Sequence, residues 1–167
     1  MNVTLSNDDI AQLLRGRTKV IHYADLQHYD SIEQLLSPYG NAVILYPGQG
    51  NVGHWTCVLY TKDGRGRRVV EFFDPYGISV DREFQMVHPS VRRPRFLARL
   101  LYETPYPVEF NDHDLQVLAA GVNTCGRHVV NRIRNAHMPL DTYIYVFGGR
   151  KKGEADRLAV EMTDMKL

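Results

Sequence analysis

The sequence predicts one domain that mixes helices and strands, and three observations carry the prediction. A β-hairpin is written into the middle of the chain: Trp55–Thr61, the turn Lys62-Asp63-Gly64-Arg65-Gly66, and a return over Arg67–Phe73. Segments with helical spacing flank it, among them Ile10, Leu13 and Leu14 before it and Val129, Val130 and Ile133 after it. The 167 residues are enough for one real core, and 44% hydrophobic against 23% charged is the balance of an ordinary globular domain. The expected organisation is a single domain over 1–167. It has an N-terminal helical part (1–40), a sheet-rich part (41–122) and a C-terminal helical part (123–167).

Each element has a local reason. Ser6 three residues ahead of Asp9 is a helix N-cap signal, and Gly16 closes the helix that follows. Ser31 opens a second short helix with Ile32, Leu35 and Leu36 on one side and Pro38 after it. Ala42–Tyr46 is an apolar run stopped by Pro47-Gly48, which reads as a buried strand. On the first hairpin strand His54, Thr56, Val58 and Tyr60 share one face, while Trp55, Cys57 and Leu59 share the other. Pro75 ends the second strand because it has no N–H for the ladder. Arg95–Tyr102 reads as a helix, Pro107–Phe110 as a further strand and Cys125–His137 as a helix. Two C-terminal helices are expected near Leu140–Val146 and Glu154–Met162, separated by Gly148-Gly149.

Charge and cysteine usage narrow the function classes. Twenty basic against nineteen acidic residues give a net charge of +1, which argues against a dedicated nucleic-acid binder. The clusters Arg65–Arg68, Arg92–Arg95 and Arg150–Lys152 read as solvated turns. Two cysteines, Cys57 and Cys125, do not make a disulfide framework, so a reducing compartment is expected. The first residues have no basic and apolar run of the signal-peptide kind, so secretion is not expected. No apolar run approaches the roughly 20 residues that span a bilayer, and Asn2-Val3-Thr4 is read as a chance sequon. With neither CxxC nor HExxH, no metal site and no cofactor are expected.

Three motifs supply chemistry. Gly53-His54-Trp55 opens a strand, Phe72-Phe73-Asp74-Pro75-Tyr76-Gly77 ends its partner, and Asn123-Thr124-Cys125-Gly126 opens a helix. In a hairpin the beginning of one strand lies beside the end of the other, so His54 and Asp74 should be neighbours. An acidic residue against one ring nitrogen fixes the tautomer of a histidine base and stabilises its imidazolium. Cys125 stands where free helix amides and the positive end of the helix dipole favour a thiolate. Its own N–H is a candidate oxyanion donor, and Gly126 lets a substrate backbone come close. Each residue also has a plain reading: Cys125 as a small buried hydrophobe, His54 as a surface loop histidine, Asp74 as a turn former.

Taken together, Gly53-His54-Trp55, Phe73-Asp74-Pro75-Tyr76-Gly77, a Gln and Thr124-Cys125-Gly126-Arg127 resemble the adenain-like cysteine proteases. These are related to the proteases that process ubiquitin-like modifiers. The likeness is closest to the maturation proteases of virophages, Maverick/Polinton-type elements and large DNA viruses. It extends to Tyr23-Ala24-Asp25-Leu26, Ser31–Leu36, Tyr143 and the Lys151–Val160 stretch, nearly the whole chain.

The resemblance implies an α+β, papain-like fold. In it a mixed, mostly antiparallel sheet packs between helices, and the nucleophile starts a central helix. It implies His54 as general base, Asp74 as its orienter and Cys125 as nucleophile. It also implies a glutamine that forms the oxyanion hole with the Cys125 amide. Gln116 takes that place, although it lies nine positions before the cysteine rather than about six or seven, so Val117–Thr124 needs a small insertion. Asn123 is the alternative donor. Gly53, Trp55 and Gly126 would line a narrow substrate channel, with core filling the equal alternative for Trp55.

The activity implied is endopeptidase cleavage after glycine in capsid or other structural precursors, in the virion and in the host cytoplasm or virus factory. A monomer is expected. Relatives of the adenovirus type are activated by DNA and by a peptide, and the near-neutral charge makes any such DNA contact weak here. Cys57 reads as core rather than as an anchor for a cofactor peptide. Gly148-Gly149 reads as a turn rather than a self-cleavage site. The alternatives are an isopeptidase acting on ubiquitin-like modifiers, an acetyl transferase on the same scaffold, and an inactive capsid-associated binding protein.

Overall fold

A computed structural model describes residues 4–47, 53–78, 95–117 and 123–164. Asn2 and Val3 of the sequon, Gly48, Arg92 to Pro94 of one basic cluster and most of the loop after Val117 lie outside the described residues. The elements run α1 (Asn7–Leu13), β1 (Lys19–His22), a 3-10 helix (Tyr23–His28), α2 (Ile32–Leu36), β2 (Asn41–Pro47), β3 (Gly53–Lys62) and β4 (Arg68–Phe73). They continue with α3 (Phe96–Glu103), β5 (Val108–Phe110), α4 (Cys125–Arg134), α5 (Leu140–Phe147) and α6 (Glu154–Met162).

Helix starts follow the expected capping chemistry. The Ser6 hydroxyl accepts from the Asp9 N–H at 3.1 Å and the Asp9 carboxylate accepts from the Ser6 N–H at 2.9 Å, a reciprocal box that satisfies two otherwise orphaned donors. Ser31 caps α2 through the Gln34 N–H. The helix expected over Cys125–His137 is shorter than its pattern. It stops at Arg134, where the Asn135 N–H turns back onto Asn131 and Arg132 carbonyls.

The five strands form one sheet in the order β1-β2-β3-β4-β5. The long central ladders, β2 with β3 and β3 with β4, are antiparallel. The short outer pairs, β1 with β2 and β4 with β5, are parallel. A parallel pair needs a crossover connection. The 3-10 helix and α2 lie on the connection from β1 to β2, and α3 lies on that from β4 to β5. β1 was not legible as a strand because its four residues, Lys19-Val20-Ile21-His22, are only partly covered and mix polar with apolar.

Alternation along the strands gives the sheet two buried faces. Ile44, Val58, Val70 and Phe72 join Leu26, Leu35 and Leu36 and the α3 residues Leu97, Leu100 and Leu101 on one face. Val43, Trp55, Cys57, Leu59 and Phe73 meet Ile10 of α1, Val129 and Val130 of α4, and Tyr143 of α5 on the other. The α4 helix is held on this second face by a buried ion pair. Arg132 Nε and Nη2 donate to the two Glu71 carboxylate oxygens, each at 2.8 Å, with both side chains fully buried. The planar fork of arginine matches a carboxylate bidentately. This pair fixes the orientation of α4 against β4, the helix and strand whose ends carry Cys125 and Asp74.

Candidate active site

His54 occupies the second residue of β3, opposite Tyr46 of β2. The β3–β4 ladder ends at the pair Cys57 and Phe73, and Asp74 follows at once. As the hairpin predicted, the two meet: His54 Nε2 lies 2.8 Å from Asp74 Oδ1. Asp74 is completely buried. Its Oδ1 also accepts the Tyr76 N–H at 2.7 Å, and its backbone carbonyl accepts from Asn111 Nδ2 at 2.6 Å. The Tyr76 ring stacks on the His54 imidazole, centroids 4.7 Å apart and planes 25° apart.

The turn that carries Asp74 depends on a glycine. The Gly77 N–H closes it onto the Asp74 carbonyl at 2.9 Å. Gly77 has φ +70°, and a Cβ there would stand 2.7 Å from the His113 backbone. Both the left-handed conformation and the close backbone approach require the missing side chain.

Cys125 is the first residue of α4 and is 5% exposed. It lies close enough to the His54 side chain to favour the charged imidazole. Burial disfavours the charged imidazole, but the hydrogen bonds to Asp74 and Cys125, together with their charges, outweigh it and push His54 up to about 9. At neutral pH the imidazole is therefore protonated, with Nε2 directed at the carboxylate. Burial beside these same groups raises the Tyr76 phenol to about 12, so it stays neutral.

The remaining expected residues surround this centre. Gln116 is 2% exposed in the segment after β5. The Leu115 and Gln116 N–H groups both donate to the Pro75 carbonyl, at 2.8 and 3.0 Å, so the glutamine is tied to the turn that carries Asp74. Asn123 is half-buried, two positions before Cys125. Trp55 is buried and its Nε1 donates to the Leu5 carbonyl at 3.1 Å. A cleft of 350 Å³ lies between the N-terminal segment and the start of β3, with Leu5, Leu45, Gly53 and Trp55 in its walls. Trp55 thus fills core space and borders the cleft. A Cβ on Gly126 would stand 3.2 Å from both Leu5 Cβ and Trp55 Cδ1. Cys57 is fully buried among Trp55, Leu59 and Phe73, and burial pushes its thiol well above the usual range.

Sequence reading missed a second polar cluster beside the first. Asp156 of α6 is 1% exposed. Its Oδ1 accepts from Thr124 Oγ1 at 2.5 Å and lies 2.8 Å from His128 Nε2, while its Oδ2 accepts the Val117 N–H at 3.0 Å. It also missed Asn111. In both cases the partner is far away in the chain, and a single Asp or Asn carries no spacing signal. Among the described residues no group of three or more His, Cys, Asp and Glu side chains is arranged to hold a metal ion, and no helix is long and apolar enough to cross a membrane.

The fold that presents these residues is similar to that of a solved viral protease. The ASFV pS273R protease aligns over 100% of this chain and 69% of its own, with a TM-score of 0.50 and 14% identity. No family model matches the sequence. At the sequence level the chain is 31% identical over 143 residues to protein V9 of the Sputnik virophage, covering 83% of this chain and 79% of that one. The chain belongs to the family of that virophage protein.

Proposed function

We propose that the protein is a cysteine endopeptidase of virion maturation, cutting capsid or other structural precursors after glycine. One observation carries the reading: a single imidazole at the start of β3 is hydrogen-bonded to a buried carboxylate and coupled to a cysteine at a helix N-terminus. A nucleophile, a base and an orienter in mutual reach are what acyl transfer to a thiol needs.

In this reading the Cys125 sulfur attacks the carbonyl carbon of the scissile peptide while the imidazolium stays beside it. The carbonyl oxygen becomes an oxyanion, held by the Cys125 N–H and the Gln116 side-chain amide. His54 then gives a proton to the departing amine, the C–N bond breaks and a thioester remains. Water adds to the thioester with His54 taking its proton, and the acid leaves as Cys125 is restored. Asp74 keeps the ring oriented throughout and stabilises its charge. In this reading Gly126 and Trp55 border a narrow channel that favours substrate residues without side chains next to the cut.

The test is co-expression with the capsid protein of the same genome, comparing wild type and Cys125→Ala by intact mass. The reading expects a Cys125-dependent truncation at a glycine. Capsid protein left whole by the wild-type chain, together with release from ubiquitin-like modifier substrates, would replace this reading with an isopeptidase.

A further inference from the structure

Gln116 and Cys125 are farther apart in sequence than their proposed partnership suggests, and a longer connection loosens the placement of its ends. Three segments must keep register for an oxyanion hole to exist here: the strand-to-loop segment with Gln116, the start of α4 with Cys125, and whatever holds the two together. The first is already tied to the Asp74 turn through Pro75. We propose that Asp156 is the positioning residue that closes this connection and aligns Gln116 with the Cys125 amide. The proposal rests on the protease reading above.

The geometry is specific. Val117 directly follows Gln116, and its N–H bonds one Asp156 oxygen at 3.0 Å. Thr124 directly precedes Cys125, and its hydroxyl bonds the other oxygen at 2.5 Å. One carboxylate therefore grips both ends of the extended connection, whatever its intervening residues do. His128, one turn into α4 from Thr124, bonds the same oxygen at 2.8 Å and ties the grip to the helix body.

His128 and Asp156 are each about 2% exposed at their side chains, so this second His–Asp pair cannot reach a substrate. The Thr124 hydroxyl is engaged by the carboxylate and is no nucleophile. Burial opposes charge on Asp156, but the bonds from His128, Thr124 and the Val117 amide outweigh it and hold the carboxyl below its usual range. A buried carboxylate with three donors from three places in the chain is a stiff joint.

Two reactions of Cys125 separate this role from general support of the fold. Hydrolysis of a Gly-Gly-aminomethylcoumarin peptide passes through an oxyanion. Alkylation by iodoacetamide forms a C–S bond and expels iodide with no oxyanion at all. For Asp156→Ala we expect kcat to fall about 10²-fold, the scale of losing one oxyanion donor, with KM and the Cys125 alkylation rate each within about threefold of wild type. Thr124→Val removes one grip without a cavity and is expected to lose about tenfold in kcat, while Thr124→Ser keeps the hydroxyl and stays within about twofold.

Parallel losses in alkylation and hydrolysis across these variants would reduce Asp156 to a structural residue. Unchanged kcat in Asp156→Ala and Thr124→Val, with wild-type hydrolysis intact, would overturn the positioning role and leave the protease reading standing. A wild-type chain that neither hydrolyses the peptide nor shows His54-dependent alkylation would overturn both.

Discussion

Replacing Asp74 by Asn removes one negative charge and keeps the size of the side chain, so it isolates the electrostatic work done on His54. The distance between an ordinary histidine near 6.5 and the about 9 of His54 corresponds to roughly 3 kcal/mol in favour of the imidazolium. Burial acts against that charge, so the favourable part comes from Asp74 and Cys125. Without the Asp74 carboxylate only the contribution of Cys125 remains against burial, and the ring should titrate well below 9. The folded-state value in the wild type is raised, so the linked stability is complete below about pH 6.5 and is lost as pH rises through about 9. Chemical denaturation at pH 6 and pH 9.5 reads this directly. The wild type should lose more stability than Asp74→Asn across that interval, by up to roughly 3 kcal/mol. Histidine NMR gives the midpoints themselves, with His54 assigned among the seven histidines by a His54→Gln control. A midpoint near 9 that survives in Asp74→Asn, or equal pH dependence of stability in the two proteins, would refute the reasoning.

Other outcomes follow from the same geometry. Asp74→Asn should also lower turnover, on the order of 10³–10⁴-fold, because the amide no longer holds the required tautomer; a peptide assay near pH 8 measures it. Glu71→Ala strands the fully buried Arg132 guanidinium and should cost about 3–5 kcal/mol, read as a loss of around 10 °C or more in thermal unfolding. Gly126→Ala forces a methyl to 3.2 Å from Leu5 and Trp55 next to the nucleophile and should cost about 1–3 kcal/mol. Its peptide turnover should fall further than its stability explains.

The parts of the site that lie close in the hairpin were legible from sequence. Strand alternation and a short turn place His54 near Asp74 before any coordinates are known, and the 2.8 Å contact follows. The helix beginning at Cys125 was legible because Val129, Val130 and Ile133 repeat at helical spacing. What was hidden is carried by single residues paired across long stretches of chain. Arg132 meets Glu71 from 61 positions away, and Asp156 meets Val117 from 39. Neither residue has a periodic neighbour that announces burial, and a charged residue is ordinarily read as solvated. The same gap explains β1: a four-residue edge strand with Lys19 and His22 at its ends has too few apolar positions for a period of two to stand out. Trp55 was open between core and channel because both demand a large apolar ring; the structure buries it in the core, at the wall of a cleft.

The central claim is that His54 makes Cys125, and not Cys57, the reactive thiol of a glycine-reading enzyme. Incubation with a Gly-Gly peptide bearing a C-terminal vinyl methyl ester, followed by peptide mapping, tests it most directly. One covalent adduct on Cys125, none on the buried Cys57, and loss of the adduct in His54→Ala is the result expected. An unlabelled Cys125, or equal labelling in wild type and His54→Ala, would contradict the account.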